Sequence, residues 1–123
     1  MAAPNIVNTA TITGLTTTTR LTNTNQFTLL SNASGSGKVY KLNTILATNI
    51  TGTTLAISVN YHEASAGVGT FSQLAGYMNV PAKSSLIVVS KDSSIYLEEN
   101  RSISVQSDTA NACHIFCSYD EFS

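Results

Sequence analysis

The sequence predicts an all-β domain. We expect a single antiparallel β-sandwich, jelly-roll-like, of about eight strands, with an extended N-terminal arm. Three observations carry this. Apolar residues recur with period two in a series of short segments, as half-buried strands require. Those segments are separated by Gly-, Pro- and Asn-rich turns. No segment carries apolar residues at helical spacing. The 123 residues, 42% of them hydrophobic, suit one domain that folds without staples.

The elements follow in order. Residues 1–25 form an N-terminal arm or edge strand, with Ile6, Val7, Ile12 and Leu15 as apolar anchors and a run of threonines from Thr16 to Thr19. Such a segment extends readily but buries little, so it either pairs with its own sheet or reaches a neighbour. The sandwich domain spans residues 26–123. Its first strand is Gln26–Leu30, followed by the loop Asn32-Ala-Ser-Gly-Ser-Gly37. Lys38–Ala47 is apolar at many positions and is expected deep in a sheet. The Asn49-Ile-Thr-Gly-Thr53 segment reads as a hairpin-type turn with Gly52 available for positive φ. Leu55, Ile57, Val59 and Tyr61 alternate with Ala56, Ser58, Asn60 and His62, which predicts a half-buried strand. A glycine-rich loop at 64–69 precedes a strand over Gln73–Val80, which Pro81 stops because it cannot donate to a ladder. Leu86–Val89, Ile95–Leu97, Ser102–Gln106 and Cys113–Tyr119 complete the set.

Composition limits the function. Charged residues make up only 11% and the net charge is -1. The polar surface is built from Thr, Ser and Asn, which fill about a third of the chain, well above ordinary usage. Low side-chain entropy and little charge repulsion favour standing contact with other proteins. The few basic residues are scattered, which argues against direct nucleic-acid binding and against electrostatic attachment to a membrane. The opening Met1-Ala-Ala-Pro-Asn5 has neither a positive n-region nor an apolar h-region, so no secretory signal is expected. The longest apolar run, Leu86–Val89, is far too short to span a bilayer.

Candidate chemistry is sparse. Cys113 and Cys117 share one face of a strand and stand about 13 Å apart, whereas a disulfide needs about 7 Å or less. They read as buried small apolar residues. His114 points to the opposite face, and the spacing is not that of a zinc knuckle, so no metal is expected. Gly35-Ser-Gly37-Lys38 lacks the Walker spacing and runs into a strand, and Gly67-Val-Gly69 lacks the third glycine and βαβ setting of a dinucleotide site. Neighbouring carboxylates at Glu98-Glu99 and Asp120-Glu121 point to opposite sides of an extended chain. The first pair is expected to solvate a turn and the second to face solvent at the chain end. No nucleophile is seen beside a base, so we expect neither an enzyme nor a cofactor.

Several ordered blocks carry a resemblance. They are Met1–Asn8, Thr11–Gly14, Gly35–Asn43, Asn49 to Gly52, Ile57–Val59, Val80-Pro-Ala-Lys-Ser-Ser-Leu86, Ile95-Tyr-Leu-Glu-Glu99 and Cys117–Glu121. In this order they resemble a family of small virion structural proteins of T4-like cyanobacterial myoviruses and related marine tailed phages. Asn100-Arg101 stands where that family usually has Gly-Asp, and Asn is expected to keep the left-handed turn. The 62–74 loop looks longer than usual.

The resemblance implies a virion protein made in the host cytoplasm, without catalytic residues. The leading expectation is a capsid decoration (cement) protein on the capsid surface, stabilising the head lattice through contacts with the major capsid protein or other virion proteins in a symmetric multi-copy assembly. The alternative is a neck, tail or fibre-attachment component. A third reading, of a different class, is a glycan-binding module, disfavoured by the absence of Trp. The expected partner contacts are Pro4, Ile6, Val7, Ile12, Leu15 and Arg20 in the N-terminal segment, with Val68 and Phe71 in the 62–74 loop.

Overall fold

The computed structural model describes residues 11–93 and 95–123. The described residues form nine strands: β1 (Ile12–Leu21), β2 (Phe27–Asn32), β3 (Val39–Asn49), β4 (Leu55–His62), β5 (Phe71–Val80), β6 (Ser85–Val89), β7 (Ile95–Leu97), β8 (Arg101–Ser107) and β9 (Cys113–Phe122). One sheet has the order β1-β9-β3-β6, with β7 also pairing β3, and the other has β2-β8-β4-β5. Every pairing is antiparallel.

The topology follows from one long hairpin. The β4–β5 pair lies at its tip, β3 pairs β6 and β7 behind it, then β2 pairs β8, and β1 pairs β9 at its open end. Rolling this ribbon joins β9 to β3 and β8 to β4. The result is a jelly roll of two stacked sheets. Between them lies one core, to which Leu42, Ile45, Ile57, Val59, Leu97, Ile103, Val105, Ile115 and Cys117 contribute fully buried side chains.

Period-two alternation explains the first sheet well. Cys113, Ile115 and Cys117 point inward on β9, while His114 and Phe116 point outward. Both cysteines are free and buried, as their spacing requires. Burial pushes the Cys113 thiol up to about 11 and the Cys117 thiol up to about 12.

Three local expectations are corrected. β3 and β4 belong to different sheets, so Asn49–Thr53 is a crossover and not a hairpin turn. Gly52 is not among the positive-φ residues. Asn49 shapes the crossover instead: buried at 1% exposure, it donates through Nδ2 to Thr53 O (2.7 Å) and Val80 O (3.0 Å), and its Oδ1 accepts from Thr51 N at 2.9 Å.

The polar face of β4 is the second correction. Ser58, Asn60 and His62 are buried, as are Ser102 and Ser104 on β8. Part of this face is covered by the β4–β5 connection, which is folded back over it. That connection is the third correction, since β4 runs through His62 and β5 begins at Phe71, leaving a loop of 63–70. Ala66 N donates to Ser31 Oγ (2.8 Å) and Gly67 N to Ser102 Oγ (2.8 Å), while Ser102 Oγ donates to Ala64 O (2.6 Å). Gly67 sits at φ +69, where a β-carbon would approach Thr28 Oγ1 to 2.5 Å, so only glycine fits.

The turn after β7 keeps its left-handed residue, with Asn100 at φ 58. Its paired glutamates do more than solvate it. Glu99 Oε2 accepts from Gly35 N at 2.9 Å and ties the 33–37 loop to the turn. Asp120 and Glu121 lie within β9, and Glu121 meets Lys38 at 3.4 Å.

Candidate assembly interface

Each sheet of an open sandwich ends in strands whose outer backbone groups lack a partner, and proteins usually disrupt such edges. Among the described strands, the edges other than β1 are short or disrupted, and β7, which borders β3 beside β6, has only three residues. β2 shifts register between Thr28 and Leu30. β6 has only five residues and its pairing with β3 shifts between Ile45 and Leu46. β5 shifts twice against β4 and holds Tyr77 at φ 52, a bulge that re-aims an exposed aromatic ring. β1 differs from all of them. Its ten residues pair with β9 from Ile12↔Phe122 to Leu21↔Cys113 without a shift. It contains no proline and no lysine, and Arg20 is its single charge.

The orientation of this edge follows from the ladder. Thr11 and Ser123 exchange both backbone hydrogen bonds, each 3.0 Å. In an antiparallel pair such exchanging positions recur at every second residue. Thr13, Leu15, Thr17 and Thr19 therefore bond to β9, while Ile12, Gly14, Thr16, Thr18 and Arg20 turn N–H and C=O to the free edge. The side chains of this second set also lie on the outer face of the sheet.

The outer face beside β1 is low in charge and partly apolar. Phe116 is 39% and Ile87 62% exposed, and the register aligns Thr18, Phe116, Leu46 and Ile87 in one row across the sheet. A shallow cleft of about 430 Å³ lined by Thr18, Thr19, Arg20, His114 and Phe116 lies on the same side.

The expected contact residues fall into two groups. Ile12 (59% exposed), Leu15 (38%) and Arg20 lie on β1. Val68 (58%) and Phe71 (50%) lie at the β4–β5 end of the other sheet. Phe71 packs its ring on His62 at 5.4 Å. Pro4, Ile6 and Val7 lie outside the described residues. Gly14, Phe116 and Asp120 were missed by sequence reasoning, because only the β1–β9 register brings residues so far apart in the chain side by side.

The buried polar layer offers little chemistry. His62 Nε2 lies 2.6 Å from Ser104 Oγ, a spacing that a nucleophile and its base could share. Ser104 is fully buried and His62 is 2% exposed, so the pair lies beneath the surface. Among the described residues, no group of three or more His, Cys, Asp or Glu side chains is placed to hold a metal.

No protein-family model and no curated protein matches the chain. Solved structures match its fold. One, from work on Bacillus endospore appendages described as a family of disulfide-linked pili, superposes with a TM-score of 0.54 at 14% identity, covering 92% of this chain and 88% of that one. Another, from the T13 infectious bursal disease virus particle, superposes with a TM-score of 0.53 at 7% identity. It covers 93% of this chain, which spans 31% of the viral one. At these identities the likeness is one of fold: this chain shares the jelly-roll sandwich found in a pilus subunit and in a viral particle protein.

Proposed function

We propose that this chain is a structural component of a virion and that it acts as a capsid decoration protein, held by protein–protein contacts and without enzymatic activity. The observation that carries the reading is the β1 edge, a regular ten-residue strand whose outer side no other described strand pairs, beside a Thr-rich face of low charge. Decoration needs many modest contacts repeated by symmetry, and multivalency then supplies the avidity. A surface of short, uncharged side chains loses little entropy on making such contacts. The jelly roll shared with a viral particle protein and the ordered sequence blocks support the same reading.

Cryo-electron microscopy of purified particles carrying the chain tests it. Decoration predicts density outside the head lattice in hundreds of copies. Six, twelve or eighteen copies at the neck or tail would replace this reading with the neck or tail alternative. Absence from the particle would refute both.

A further inference from the structure

We propose that the β1 edge pairs with the β1 edge of a second copy of this chain, antiparallel about a two-fold axis at Thr17, so that Arg20 of each copy crosses Gly14 of the other to reach Asp120. The proposal concerns self-association of the isolated chain and goes beyond the virion reading.

The register follows from the geometry. Two antiparallel edges join only where their outward-facing backbone groups meet, which pairs the even-numbered residues of β1 with each other. Three such registers keep most of the strand. Centred on Thr16, Arg20 falls opposite Ile12. Centred on Thr18, it falls opposite Thr16. Centred on Thr17, it falls opposite Gly14, where no side chain stands in its way.

Across from Gly14 on β9 is Asp120. Its carboxylate leans toward the open edge, since a β-carbon on Gly14 would lie 3.6 Å from Oδ1. Lys41 faces Asp120 from β3, yet the two make no ion pair, and the one ion pair among the described residues joins Lys38 to Glu121. The row in the joined sheet would read Lys41, Asp120, Gly14, then Arg20 and His114 of the second copy. The acceptor at Gly14 and the donor at Arg20 stand at equal distances from Thr17, the self-complementarity that a two-fold interface requires. The proposal commits to a second copy of the same chain because this pairing matches Arg20 to Asp120 in both directions at once.

Two further features fit. Leu15 points toward the core side yet remains 38% exposed, and pairing would set Leu15 beside Thr19 of the second copy. Arg20 is the single charge of β1, so no like charges face each other along the seam. The register joins Gly14 to Arg20 and Thr16 to Thr18 in both directions, exchanging about eight backbone hydrogen bonds.

Sedimentation equilibrium of the full chain tests the proposal, with thermal melting confirming that each variant folds. Thr16→Pro removes a backbone donor that faces the free edge and leaves the β9 ladder intact. The expected results are a concentration-dependent dimer for the natural sequence and a monomer for Thr16→Pro. Arg20→Asp or Asp120→Arg alone should weaken the dimer about tenfold, since each turns two surface ion pairs into repulsions. The double variant should recover most of that loss. The proposal is overturned if the natural chain stays monomeric, if Thr16→Pro leaves the dimer unchanged, or if the double variant is no better than the single ones. A monomer that still decorates particles would assign the edge to a different chain and leave the virion reading standing.

Discussion

Replacing Asn49 by alanine removes the side chain that joins the β3–β4 crossover to the end of β5. Its amide donates to Thr53 O at 2.7 Å and Val80 O at 3.0 Å, and reaches Pro81 O at 3.3 Å. Its carbonyl accepts from Thr51 N at 2.9 Å and from Thr51 Oγ1 at 2.7 Å. The bond to Val80 O is buried, so water cannot readily replace it. Two well-formed donations at about 1 kcal/mol each, with a further 1–2 kcal/mol for an unsatisfied buried carbonyl, predict a loss of about 3–4 kcal/mol. For a domain of this length each kcal/mol lowers the melting temperature by about 4 °C, so Asn49→Ala should melt about 12–16 °C below the natural sequence. Urea titration should show the same loss with an unchanged m-value. The control is Asn23→Ala, which removes one exposed acceptor for Asn25 N and should be nearly neutral. A loss below about 1 kcal/mol for Asn49→Ala, or an equal loss for Asn23→Ala, would refute the view that this amide organises the crossover.

Two other predictions concern the thiols and the left-handed turn. Burial raises the Cys113 and Cys117 thiols of the folded chain to about 11 and about 12, above the ordinary thiol value. Above pH 9 the unfolded chain releases thiol protons that the folded chain keeps, so stability falls as pH rises through this window, by up to about 1.4 kcal/mol per pH unit for each thiol. Tyr40, Tyr61 and Tyr119 are also raised, chiefly by burial, and add a slope of the same sign. Urea midpoints between pH 8 and 11 should therefore fall less steeply for the double variant Cys113→Ala/Cys117→Ala, and identical slopes would exclude the thiols as the cause. Asn100 holds φ 58 and its Oδ1 accepts from Ser65 N at 3.1 Å. Asn100→Ala should cost about 1–2 kcal/mol because alanine resists the left-handed region, while Asn100→Gly should cost less; the reverse order in thermal melts would contradict this.

Much of the fold was legible because strand formation here is a local matter. The alternation of Leu55, Ile57 and Val59, or of Ile103 and Val105, marks a face within a few residues, and those side chains are fully or almost fully buried. The separation of Cys113 from Cys117 on one strand needed only the strand rise. The left-handed turn expected at Asn100 is likewise local, because asparagine tolerates that conformation, and the chain makes it.

Features that depend on distant partners stayed hidden. Ser58, Asn60 and His62 alternate as a solvent face would, yet they are buried, as are Ser102 and Ser104 on the strand beside them. Asn49–Thr53 carries turn chemistry that suits a hairpin, but β9 rather than β4 takes the place beside β3, and the chain must cross to the other sheet. The candidate interface shows the same division. Thr16 to Thr19 could be read from the sequence as an extended segment that buries little. That β1 is a ten-residue edge without a register shift among the described strands, with Gly14 beside Asp120, depends on the β1–β9 register. By itself, the sequence determined most of the strands, their apolar faces and the scarcity of charge, because these are set by neighbours along the chain. Only the tertiary structure decided which edge is open and which side chains line it, because backbone pairing between segments about a hundred residues apart is set by the packing of the whole sandwich.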